Sequence, residues 1–153
     1  MNQALNMDGG IHEIPVPALV GRLWLCGKHF IGPDHAAVLQ RVGASHVVCL
    51  VREGELRGRY DEYVTWLQTS NCSTWYPIHD LSSPPLEEIL PLYQGVIDRL
   101  RRGESVIAHC AAGIGRAGTL AVAVCQLAGM PLNEALRHVR QHRPGAGPEV
   151  GSQ

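Results

Sequence analysis

Two runs in this chain, SHVVCLV (45–51) and ESVIAHC (104–110), carry apolar residues side by side instead of alternating them with polar ones. An alternating strand can leave one face in water, but a continuous β-branched run has to be covered on both faces. That requirement points to a parallel sheet with helices packed on either side. The rest of the sequence supplies them. PDHAAVLQRVG (33–43) has Pro at a helix start and Gly at its end. Residues 61–70 carry Tyr63, Val64 and Leu67 on a short helix. PLEEILPLYQGVIDRLRRG (85–103) places apolar residues at 86, 89, 90, 93, 96, 97 and 100, one helical face, with Pro91 near its first turns. Two further helices are expected over about 116–128 and 131–143. GRLWLCG (21–27) and STWYPI (73–78) read as strands, and 52–59 and 79–85 as loops. The expected fold is α/β, a single domain with a central, mostly parallel sheet of four to five strands flanked by helices. In such sheets ligands sit at the carboxyl ends of strands, which groups Arg52, Asp80 and Cys110 on one rim.

Composition narrows the function classes. A net charge of −1 gives no global pull toward nucleic acid or an anionic membrane, so any affinity for anions must be local. Five cysteines, an odd number with no CxxC and no paired Cys/His spacing, read as reduced thiols of a cytoplasmic protein without a metal site. The opening MNQALNMDGG is polar and lacks a signal-peptide pattern. The longest apolar stretch, around 117–130, is too short to span a bilayer, so no membrane insertion is expected.

The segment VIAHCAAGIGRAGTLAVAVCQL (106–127) concentrates the chemistry. A strand ends at Cys110. The loop Ala111, Ala112, Gly113, Ile114, Gly115 carries almost no polar side chain, and a helix opens at Arg116. Gly113 and Gly115 permit the positive φ that an anion nest needs, and the helix N-terminus adds free N–H groups. Helix N-termini also favour the thiolate form of a cysteine, the nucleophilic one. Arg116 offers paired donors that match phosphate oxygens, a geometry lysine lacks. One loop thus combines a soft nucleophile, a cradle and a clamp, which is most of what phosphoryl transfer requires.

HCAAGIGRAGT (109–119) resembles the signature loop of the cysteine-dependent protein tyrosine phosphatases, His-Cys-x-x-Gly-x-Gly-Arg. The length and short loops resemble the compact dual-specificity branch, which includes the cyclin-dependent-kinase-associated and regenerating-liver types. The resemblance runs from about residue 20 to the end and implies a metal-independent, cofactor-free phosphatase domain over 16–153, after a flexible segment 1–15. It implies that Cys110 is the nucleophile, that Ala111 to Arg116 bind phosphate, and that His109 orients the loop and helps hold the thiolate. The family's general acid lies on a loop of the form Pro-Ile-x-Asp followed by Pro. YPIHDLSSPP (76–85) supplies Pro77, Ile78, Asp80 and Pro84, which makes Asp80 the acid, with Asp61 as runner-up. The expected substrate is a phosphorylated protein or peptide, phosphotyrosine first. The loop carries no lysine, which argues against a highly phosphorylated inositol. The expected protein is monomeric. The competing reading is a phosphate-binding module with low turnover.

Several other positions follow from the same resemblance. Glu53 and Glu55 lie where the family places a carboxylate that holds the clamp arginine, with Arg52 or Arg57 near substrate. Lys28 and His29 are candidates for a pocket wall. RPGAGPEVG (143–151) resembles the final pocket loop, with Glu149 where many relatives carry Asn, and Gln153 is a candidate water-positioning residue. Cys49, on the strand expected beside that of Cys110, is a candidate disulfide partner. Ala117 replaces the usual Ser or Thr after the arginine. The lost hydroxyl would slow hydrolysis of a phosphocysteine, and Thr119 lies on the wrong helical face to replace it.

Overall fold

The computed structural model describes residues 10–79, 82 and 84–148. Five strands form one sheet: β1 (His12–Ile14), β2 (Arg22–Gly27), β3 (His46–Cys49), β4 (Ser73–Trp75) and β5 (Ser105–Cys110). Their order across the sheet is β1-β2-β5-β3-β4. All neighbours are parallel except β1, which runs antiparallel to β2 at the edge. β5 is the centre, and Val106 to Cys110 are all buried, as an uninterrupted apolar strand demands.

The helices follow the expected alternation: α1 (Lys28–Ile31), α2 (His35–Val42), α3 (Asp61–Thr69), α4 (Leu86–Arg101), α5 (Arg116–Leu127) and α6 (Leu132–His142). Asp34 caps α2 by accepting from Ala37 N–H, and Gly43 closes it in the left-handed region at φ 68°. α4 carries Glu87 and Glu88 in its first turn and Arg99 and Arg101 in its last, the signs its dipole favours. It continues through Pro91 and buries Ile89, Tyr93, Val96, Ile97 and Leu100. α4, α5 and α6 pack in series, with α4 and α5 against β5 and α6 against β1, while α3 lies along β4.

Three elements depart from the sequence reading. The segment expected to be flexible up to residue 15 contains β1, with Ile14 fully buried and His12 to Ile14 paired to Leu25 to Leu23. Three residues are too short to show a period, so the strand is specified by its partner β2. α1 is a single turn at Lys28–Ile31, where no helix was expected. β4 stops at Trp75, short of residue 78, although Tyr76 N–H and Ile78 N–H still donate to Cys49 O and Leu50 O. No helix among the described residues is long and apolar enough to cross a membrane.

Candidate active site

β5 ends at Cys110 and α5 begins at Arg116, so the intervening loop stands at the carboxyl edge of the central strand. Its backbone faces one way because its carbonyls are engaged on the other. Ala111 O accepts from Lys28 N–H at 2.9 Å, and Ile114 O from Gly118 N–H at 3.1 Å and Gly147 N–H at 3.0 Å. Gly115 O accepts from Thr119 N–H at 2.8 Å. Ala112 O and Gly113 O accept from Arg143, through Nη2 at 2.9 Å and Nε at 2.8 Å. Among the described residues, none of the N–H groups of Ala111 to Gly115 donates to a protein acceptor. A run of unspent N–H groups on the concave side of a loop is an anion nest.

Gly113 makes that turn possible. It adopts φ 75°, and a Cβ there would meet Cys26 C and O at 2.5 Å. Gly115 does not use the same freedom: it lies at φ −75° as the residue before α5. Gly118 lets the last loop close in, since a Cβ there would stand 2.2 Å from Gly147 N.

Cys110 is buried, and its Sγ accepts from Ala117 N–H at 3.4 Å. The backbone at 117 therefore supplies a donor to the sulfur. His109 is fully buried, and its Nδ1 lies 3.3 Å from Cys110 O and its Nε2 2.6 Å from Tyr63 Oη. A carbonyl can only accept, so Nδ1 carries the proton and Nε2 accepts from the Tyr63 hydroxyl. Burial, with the nearby Arg116 charge, pushes the His109 pKa down to about 4. His109 is thus a neutral strut on the last carbonyl of β5, where the loop begins.

Arg116 is almost wholly buried, and Glu55 grips it with both oxygens: Nη1 to Oε2 and Nη2 to Oε1, each at 2.9 Å. Nη1 also donates to Ile78 O at 2.8 Å. Glu55 comes from a single 3-10 turn, Glu53–Glu55, and its Oε2 accepts from Arg52 N–H at 2.8 Å. Burial pushes the Glu55 carboxyl up, but the bonds from Arg116 and Arg52, with the charges of Arg116 and Lys28, hold it below the usual range. Of the charged loop, Glu55 is the residue that bonds Arg116. Glu53 faces Arg57 and Gln68, and Arg52 is exposed. His29 turns to the Tyr60 hydroxyl, with Nδ1 at 2.6 Å.

Asp80, Glu149 and Gln153 lie outside the described residues. Ile78, two positions before Asp80, is the residue whose carbonyl holds Arg116. The runner-up acid Asp61, the first residue of α3, accepts from Gly58 N–H at 2.6 Å and so braces the turn that leads into the helix. Cys49 is in register with His109, one residue short of Cys110, so it shares the His109 face and is misplaced as a disulfide partner. Burial pushes its thiol up to about 12. Arg143 was not foreseen. It also donates to Gly10 O and Leu25 O, and its Nη1 lies 2.7 Å from His12 Nδ1. Its only trace in the sequence is its place before the Pro-Gly of the last loop.

The family model for the Swiss Army Knife protein DSP-PTPase phosphatase domain matches residues 24–146. The chain belongs to this family. Relatives of this DSP-PTPase domain include dual specificity protein phosphatase 1 of Arabidopsis thaliana, 44% identical over 52 residues. That match covers 33% of this chain and about a quarter, 26%, of the relative's length. Among solved structures, Tk-PTP in its active form is 29% identical, with TM-score 0.71, over 92% of this chain and 90% of its own. Kinase associated phosphatase with a substituted catalytic cysteine is 15% identical, with TM-score 0.74 over 93% and 88% of the two chains, a likeness of fold.

Proposed function

We propose that this domain hydrolyses phosphomonoesters on proteins, phosphotyrosine first, through a phosphocysteine intermediate. The observation that carries the reading is the nest: unspent N–H groups of Ala111 to Gly115 in the loop that follows the buried Cys110 and leads into an arginine held in place by Glu55. In the first step Cys110 Sγ attacks phosphorus, and the bond from phosphorus to the substrate oxygen breaks. Asp80 gives its proton to that leaving oxygen. Water then attacks phosphorus, Asp80 takes up a proton, and the S–P bond breaks to release inorganic phosphate and the thiolate. The nest and Arg116 neutralise the equatorial oxygens throughout. Asp80 is assigned by its motif and by its place two residues after the carbonyl that holds Arg116. The same reading makes the protein a cytoplasmic monomer that needs neither cofactor nor metal.

The test is phosphate release from peptides carrying phosphotyrosine, phosphoserine or phosphothreonine, with and without chelator. Cys110→Ser is expected to abolish release while still binding vanadate, and Arg116→Ala to lose both. Asp80→Asn is expected to slow poor leaving groups far more than good ones, since only the poor ones need a proton. Vanadate binding without release from any peptide would make the domain a phosphate-binding module instead.

A further inference from the structure

We propose that Lys28 selects substrates: its ammonium receives an acidic side chain flanking the phosphorylated residue. This rests on the phosphatase reading above and names the kind of phosphoprotein it would favour. Lys28 is the only lysine in the chain; the twelve other permanently charged basic residues are arginines. The sheet fixes its place. β2 and β5 run parallel with Gly27 in register with Cys110, so the residues that follow each strand stand side by side. Lys28 N–H donates to Ala111 O at 2.9 Å. Lys28 therefore leaves the sheet beside the first residue of the anion nest.

Its half-buried side chain also lies near enough to Glu55 for its charge to help hold that carboxyl ionised. Glu55 is the residue that grips Arg116. The backbone of Lys28 is thus anchored to Ala111 at one border of the nest, and its charge is felt by Glu55 at the other. Glu55 does not consume it by contact, because its oxygens are taken by Arg116 and Arg52. Among the described residues Lys28 Nζ has no hydrogen-bonded or ion-paired partner. Of the neighbouring cations, Arg57 is paired with Glu53 and Arg52 is exposed.

The spacing suits a peptide. Adjacent strands lie ~4.8 Å apart. Consecutive residues of an extended peptide advance ~3.5 Å. A carboxylate one or two residues from the phosphorylated side chain therefore falls within reach of a lysine stem rooted beside the nest. A flexible point charge accepts a carboxylate whose position varies between substrates, where the rigid fork of arginine would demand one geometry.

Two phosphotyrosine peptides decide the matter, identical except that one carries Asp and Glu on either flank and the other Asn and Gln. The wild type is expected to favour the acidic peptide about two- to fivefold in kcat/KM, through KM, and less so as salt rises. Lys28→Met is expected to remove the preference and Lys28→Glu to reverse it. A chemical arm needs no variant, because Lys28 is the only side-chain amine. Acetylation, which removes the charge, should erase the preference, while reductive dimethylation, which keeps it, should not. If the Lys28 variants fail to fold, that pair of modified proteins gives the answer. No preference in the wild type, or a preference that survives Lys28→Met or acetylation, overturns the inference while leaving the phosphatase reading intact. Failure to hydrolyse either peptide overturns the phosphatase reading, and this inference with it.

Discussion

Glu55→Gln separates the charge of the Arg116 support from its shape. In the native site, two charge-assisted bonds of 2.9 Å join Glu55 to Arg116, whose side chain is 1% exposed, while that of Glu55 is 18% exposed. Glutamine keeps one acceptor oxygen but sets an amide donor against an arginine N–H. One bond is lost and the other loses its charge. With bonds to charged groups contributing ~1.5–3 kcal/mol each, the expected loss of stability at neutral pH is ~2–4 kcal/mol. Removing one partner of a buried pair outright costs ~3–5 kcal/mol, which bounds it from above. The freed guanidinium should also shift, and a displacement of about 1 Å at a clamp costs on the order of a hundredfold in kcat/KM. The pH dependence has a definite sign. The folded pKa of Glu55 lies below its ordinary 4.5, so its stabilisation is complete above that value and is lost as pH falls through the folded one. Urea unfolding of both proteins from neutral pH down through the carboxylate range reads this directly, because groups common to the two cancel. Equal stability at neutral pH, or a difference that does not shrink in acid, would refute the account of Arg116.

Gly113→Ala should cost ~3 kcal/mol or more, about 6–12 °C in Tm, and abolish vanadate binding, because the left-handed backbone and the Cys26 contact both oppose a methyl group. Tyr63→Phe should destabilise by ~1–3 kcal/mol in urea unfolding, since it leaves His109 Nε2 buried without its donor. Burial pushes His46 and His109 down to about 4 from an ordinary 6.5, so the fold needs both neutral. Their contribution is complete above 6.5 and declines as pH falls toward 4, and His109→Gln should flatten that decline in stability curves. Ala117→Ser should raise steady-state turnover by no more than about fivefold, ~1 kcal/mol, with the rapid-quench burst unchanged, because Ala117 N–H already reaches the sulfur.

The architecture was legible because β3 and β5 are apolar on both faces and α4 carries a full helical stripe, signals that survive without knowledge of partners. β1 was not, because three residues hold no period and the strand exists through its bonds to β2. The nest was legible in the bare loop between strand and helix, whereas the carboxylate that holds Arg116 was narrowed only by resemblance to Glu53 or Glu55, and the structure selects Glu55. Which of the two glycines takes the left-handed turn was not legible, because glycine permits that backbone without requiring it; Gly113 takes it, and α5 starts from a right-handed Gly115. The Cys49 pairing failed on register alone, one residue being enough to turn a side chain to the other face. Arg143 escaped because a buried arginine that serves carbonyl oxygens leaves no pattern near the residues it serves.

That arginine sets an order of events for the chain as it is made. Its bonds reach back 133 residues to Gly10, 118 to Leu25, and about thirty to the loop, 31 to Ala112 and 30 to Gly113. Synthesis runs from the N-terminus, so the strand, the thiol and the loop all emerge before the side chain that turns two of the loop carbonyls away from the anion. Contacts this distant in sequence form late in folding. A nascent chain that has collapsed around β5 would hold a buried cysteine but only part of a phosphate site. Oxyanion affinity would then return in refolding after the helical signal, at the rate at which the last helix closes over the first strand.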